Sequence, residues 1–306
     1  MTEFLSCIDR AQSEVGCPAL RAASHYHEVM LRMWMEREKA MDINVFNLSF
    51  KEGTALEQFR QMAVNSVFHY AVDHKLHEKT VHLTCLNINR LLYNRLVDHE
   101  PSSRDARVLT HDLFACIVIT SLRNAIKNDE SFEKSELFRI DPDHVWRSTK
   151  YLVQVVQDRS VARINQIEAE CLSVLDVPSN PPLAPEFIDR YLGVGGWPEY
   201  TQQYRELSSY LVGLAVFANT YSTPLRGVPN SKLAAAALVL AIKVINTDFN
   251  NTKYEFWPQR LAHYTRLTMD DLKPVIRGLA NLLRNKPRWS SILESYYGKW
   301  SEYDWN

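Results

Sequence analysis

Nowhere in the 306 residues do apolar and polar side chains alternate as a half-buried strand requires, which removes sheet architectures from the sequence-level reading. Apolar runs of bilayer length are missing too, and the start Met1-Thr2-Glu3-Phe4 has neither the basic end nor the apolar stretch of a signal peptide. Charge of one sign is also lacking. Thirty-five Lys and Arg stand against 36 Asp and Glu, a formal net charge of -1, so no electrostatic footprint for nucleic acid or an anionic membrane is present. The five cysteines (Cys7, Cys17, Cys85, Cys116, Cys171) are odd in number and widely spaced, and three fall inside apolar helical runs. They read as small buried hydrophobes in a reducing compartment, not as a disulfide framework. Signatures of catalysis are equally scarce. There is no Gly-x-Ser-x-Gly elbow and no kinase signature set, and Gly193, Gly195 and Gly196 follow a helix, not a strand, without the Lys-Ser or Lys-Thr of a phosphate cradle. They are expected in an interdomain loop. His69, His74, His77 and His82 cluster, but His77-Glu78 followed by His82 is one residue too long for both imidazoles to share one helical face. No metal site, cofactor or catalytic residue is expected. These histidines are read as solvated side chains around a helix start.

What is present is helical pattern. Leu233 to Ile242 is ten consecutive apolar residues, a helix hydrophobic all round yet too short for a membrane, and therefore one that other helices surround. Its four alanines, Ala234 to Ala237, permit close approach of neighbouring helix axes. A second all-apolar run, Leu113 to Ile119, sits in the first half. Around each run amphipathic helices are predicted in the same order. The first half has helices near Phe59–Val72, Lys79–Leu96, Asp112–Leu122, Pro142–Val156 and from Val161. The second has them at Glu186–Leu192, Gln203–Phe217, the alanine run, after Trp257-Pro258, and from Thr268. Thr268 and Asp271 form a capping-box pair at the last, where Pro274 predicts a kink. The loop Pro178-Ser179-Asn180-Pro181-Pro182 separates the halves. The expected class is all-α. The expected domains are an N-terminal segment over 1–54 with an amphipathic helix at Tyr26–Met41, then five-helix units over 55–178 and 179–306.

Ser231-Lys232-Leu233-Ala234-Ala235-Ala236-Ala237-Leu238, Phe256-Trp257-Pro258 through Thr265, Leu267-Thr268 and Leu272-Lys273-Pro274 resemble the cyclins, nearest to the A-type and B-type mitotic cyclins. Further matches lie at Ile167-Glu168-Ala169-Glu170-Cys171-Leu172, at Phe187–Leu192 and at Ser291–Tyr297, and the resemblance covers about residues 26–300, more closely in the second half. It implies two tandem five-helix cyclin folds with an extra N-terminal helix, and a non-catalytic regulatory subunit that binds and activates a cyclin-dependent kinase in mitotic or meiotic control. The alternative is a cyclin-fold scaffold in meiosis or transcription that activates no kinase. The family's kinase-contacting glutamate falls on Glu168, and its lysine falls on Leu122, with Arg123 beside it. Its substrate-docking groove falls on Phe59-Arg60-Gln61-Met62-Ala63, with Ser66 where the tryptophan would stand, so the groove is expected to be degenerate. The implied partner is a cyclin-dependent protein kinase, without direct nucleic-acid or membrane contact, in nucleus and cytoplasm. The first 25 residues spell no Arg-x-x-Leu degradation signal of the mitotic family, so turnover through that signal is not expected.

Overall fold

The computed structural model describes residues 29–38, 55–96, 117–118, 120–122, 124–125, 169–175, 182–195, 201–218, 224–248, 256–285 and 291–298. Among them every regular element is a helix, and the protein is all-α. The helices are α1 (29–38), α2 (Ala55–His74), α3 (Glu78–Leu96), α4 (169–175), α5 (Ala184–Gly195), α6 (Thr201–Phe217), α7 (Asn230–Asp248), α8 (Gln259–Thr265), α9 (Met269–Arg284) and α10 (Ser291–Tyr297). Residues Ile117, Val118, Thr120, Ser121, Leu122, Asn124 and Ala125 are also helical. The helices expected at Pro142–Val156 and over the start of the run from Val161 lie outside the described residues.

Helix α7 is the alanine run, and α5, α6 and α9 pack around it. Ala234 to Ala237 and Leu238 lose all contact with water. With no side chain beyond Cβ, the alanines let three neighbours approach one helix at once. The Tyr191 hydroxyl donates to the Ser231 carbonyl (3.2 Å), and the Tyr204 hydroxyl donates to Asn246 Oδ1 (2.7 Å), so the polar tips of two buried rings are satisfied along the same helix.

The remaining second-half helices are set by local chemistry. Arg266 takes a left-handed conformation (φ 57°) that ends α8, its N–H bonding Ala262 O. Two residues later the capping box forms: the Asp271 N–H donates to Thr268 Oγ1 (3.3 Å) and the Thr268 N–H donates to Asp271 Oδ2 (2.9 Å). Leu272, Val275, Leu279 and Leu283 then point inward while Asp270, Lys273 and Arg277 face water. Helix α9 runs unbroken through Pro274, which is exposed, so the Asp270 carbonyl that loses an N–H partner lies on the solvent side. Gly193 and Gly195, expected in a loop, belong to the last turn of α5.

One hydrophobic cluster takes in residues from both sides of Pro178. At its centre Phe68 of α2 meets Phe217 of α6 and Tyr296 of α10 edge to face, with centroids 5.9 and 5.8 Å apart. Helix α1 joins from outside: Trp34 packs edge-on against Phe187 (5.6 Å), and Glu38 reaches the first turn of α7.

Candidate functional site

Helix α2 carries the residues expected to form the docking groove, and the structure turns most of them inward. Phe59 and Ala63 are buried in the core, and the buried Ser66 donates its hydroxyl to the Met62 carbonyl one turn back (2.8 Å). Arg60 is only 4% exposed: its Nε donates to Asn89 Oδ1 (2.9 Å) and its Nη2 to Val216 O (2.6 Å). Met62 alone of the five stands exposed, at 43%. The expected kinase-contact position Leu122 is fully buried, whereas Arg123 and Glu168 lie outside the described residues. On α4, just after Glu168, Cys171 and Leu175 face the core while Glu170 and Leu172 are exposed.

Between the two halves runs a buried polar seam. Glu78 begins α3, and its Oε2 accepts from Ser209 Oγ (3.2 Å) and from Arg205 Nη2 (3.4 Å), both on α6. Arg205 Nε also donates to Asp189 Oδ1 on α5 (2.7 Å). One turn along α3, His82 Nε2 shares a hydrogen bond with the Tyr297 hydroxyl of α10 (2.8 Å) and lies 3.9 Å from Glu78 Oε1. Next to it, the Tyr296 hydroxyl donates to Leu76 O (2.6 Å). Burial raises the Glu78 carboxyl to about 7 against the opposing pull of Arg205, and burial lowers the His82 imidazole to about 3. Between about pH 3 and 7 the 3.9 Å approach therefore joins a neutral carboxyl and a neutral imidazole, and is not an ion pair. Glu78 Oε2 is satisfied from α6 while Oε1 has only the 3.9 Å approach of His82, and the seam's chemistry is that of a joint.

The histidines separate by environment. His74 is exposed and stacks on Tyr70 (4.1 Å), and His77 is exposed, its Nδ1 accepting the Lys79 N–H (3.3 Å). His82 corrects the expectation of solvated side chains, because α3 turns it into the seam. Among the described residues no three His, Cys, Asp or Glu side chains gather as a metal would require, and no helix is long and apolar enough to cross a membrane. An open groove of about 310 Å³ lies beside α1, lined by Trp34, Glu186, Asp189, Arg190 and Gly193. Its charges are matched: Glu186 pairs with Lys79 (3.2 Å), Asp189 with Arg205, and the Arg190 guanidinium sits 5.0 Å above the Trp34 ring.

Sequence reasoning missed the seam. The Glu78–His82 spacing of four residues places both on one face of α3, a signal available without coordinates. Their partners on α6 and α10 carry no such signal, because only folding brings Ser209, Arg205 and Tyr297 to them.

The class defined by these observations is a helical protein whose buried polar groups tie helices of the first half of the chain to helices of the second. Residues 182–302 match the family described as Cyclin, C-terminal domain. A G2/mitotic-specific cyclin-B of Drosophila melanogaster is 28% identical over 155 residues, 48% of this chain and 27% of that relative. One from Marthasterias glacialis is 30% identical over 139 residues, 44% of this chain and 32% of the relative. The matching stretch thus spans about a third or less of those relatives' length. The X-ray structure of a viral cyclin from herpesvirus saimiri superposes with a TM-score of 0.53, covering 87% of this chain and 99% of the viral one at 15% identity, which is a likeness of fold. The chain is thus similar to the cyclins, in sequence over its second half and in fold over most of its length.

Proposed function

We propose that this protein is a non-catalytic regulatory subunit that binds and activates a cyclin-dependent kinase in mitotic or meiotic control, in nucleus and cytoplasm. The observation that carries the reading is the cyclin C-terminal domain at 182–302 together with similarity to G2/mitotic-specific cyclins. In this reading residues 55–178 and 179–306 are tandem cyclin folds, with 1–54 as an N-terminal segment. The first fold presents a rigid helical face that orders the kinase's mobile elements by differential binding to the active state. Glu168, Arg123 and the surface around Leu122 are the proposed contacts. Helix α4 supports this by leaving Glu170 and Leu172 exposed next to Glu168.

Glu168→Ala is expected to weaken kinase association by about 2–5 kcal/mol, the usual cost of truncating one partner of an interfacial charge pair. Unchanged affinity by calorimetry, with the fold intact by circular dichroism, overturns the assigned interface. A second reading, a scaffold that activates no kinase, is favoured by one observation: the position where the family has its kinase-contacting lysine is Leu122, fully buried. Co-purification followed by a kinase assay separates the two. Bound kinase with raised activity supports the first, and bound or absent kinase without activation supports the second.

A further inference from the structure

Arg60 is a buried cation between helices from both halves of the chain, and neither of its hydrogen-bond partners carries a charge. Nε bonds the Asn89 side-chain oxygen, Nη2 bonds the Val216 backbone carbonyl, and Nη1 has no partner. A guanidinium does not shed its proton in a protein, so a buried arginine requires a counter-charge or strong acceptors on all its faces. A cavity of about 20 Å³ lies beside it, lined by Arg60, His82, Cys85, Asn89, Val216 and Asn230 among others. That is room for one particle of the size of a water molecule or a halide, and too little for sulfate, phosphate or a carboxylate compound.

No carboxylate lines the cavity. The His82 ring is neutral, and burial pushes the Cys85 thiol up to about 12 even beside Arg60. Glu57, one turn back on α2, favours the Arg60 charge but does not line the cavity. Glu78 lies on the far side of His82, facing Arg205 and Ser209.

We propose that this cavity is a structural anion site, in which a chloride ion sits against Arg60 Nη1 and completes the counter-charge that Asn89 lacks. The ion then belongs to the joint between the halves, since its walls come from α2, α3, the start of α5, the end of α6 and the start of α7. Chloride binding stabilises the folded chain by linkage, because the unfolded chain has no such site. This holds independently of any kinase partner.

The test is thermal unfolding of the full chain at constant ionic strength, with sodium chloride exchanged for sodium gluconate, whose anion is too large for the cavity. Wild type is expected to melt about 2–4 °C lower in gluconate, the shift that about 1 kcal/mol of ligand linkage produces in chains of 150–250 residues. Asn89→Asp places a carboxylate where the neutral amide stands, and is expected to abolish the difference while raising the melting temperature in gluconate. Crystals grown in bromide are expected to show an anomalous peak within hydrogen-bond reach of Arg60 Nη1. An equal chloride response in wild type and Asn89→Asp overturns the proposal, as does a water-filled cavity with no anomalous signal.

Discussion

Folding takes Glu78 and His82 out of water together, and the proton balance of that step is unusual. Unfolded, with ordinary values of 4.5 and 6.5, the pair at pH 5.5 is a carboxylate and an imidazolium; folded, with values of about 7 and about 3, it is a carboxylic acid and a neutral imidazole. One proton is bound either way, so between about pH 4.5 and 6.5 the two groups add no net slope to stability. Removing either partner uncovers the other. In His82→Gln the raised carboxyl remains, and its contribution is full below pH 4.5 and lost as pH rises through about 7. In Glu78→Gln the lowered imidazole remains, and its contribution is full above pH 6.5 and lost as pH falls towards 3. Relative to wild type, urea unfolding between pH 4.5 and 6.5 is therefore expected to give slopes of opposite sign in the two variants, each of the order of 1–3 kcal/mol across the window. Slopes of the same sign would show that the two groups titrate differently from this account.

At the scale of elements, two contacts hold helices in place from a distance in sequence. Glu38 of α1 accepts the Ser231 backbone N–H (2.9 Å) and the Ser231 hydroxyl, serving an N–H of the first turn of α7 that no helical carbonyl can reach. Glu38→Ala leaves those donors unpaired in a buried place, and is expected to destabilise the protein by about 1–3 kcal/mol in urea unfolding. A loss below a few tenths would mean that water replaces the carboxylate. Gly213 of α6 is fixed by a different need: a Cβ there would stand 2.5 Å from Tyr297 Cε2. Gly213→Ala is expected to displace α10 and break the His82–Tyr297 hydrogen bond, lowering the melting temperature by several degrees. Pairing it with Tyr297→Leu, which gives the methyl room, should then cost less than the sum of the single changes.

For the whole molecule, the arrangement of α2 bears on how substrates would be chosen. Where the resemblance places an aromatic ring, Ser66 is buried and bonded to the backbone, and Arg60 serves the joint between the halves. A lost ring removes up to about 150–250 Å² of contact. Even half of that, at about 25 cal/mol per Å², is on the order of 2–3 kcal/mol, enough to weaken a peptide by tens of times. An Arg-x-Leu peptide is therefore expected to bind no more tightly than millimolar in a fluorescence-polarisation titration. Micromolar binding abolished by Met62→Ala would show a working groove.

The all-helical class, the alanine-centred packing of α7 and the Thr268–Asp271 cap were legible in the sequence because each rests on local spacing: an apolar run, a period of 3.6, a pair three residues apart. The family resemblance was legible for the same reason, in short motifs such as Phe256-Trp257-Pro258 and Leu272-Lys273-Pro274. Tertiary structure alone decided that Arg60 faces Asn89 and Val216, that His82 is buried against Tyr297, and that Glu38 caps α7, across separations of 29 to 215 residues. A polar side chain looks the same in sequence whether water or a distant helix surrounds it. Its charge state and its role follow from desolvation, and desolvation exists only once the halves have packed.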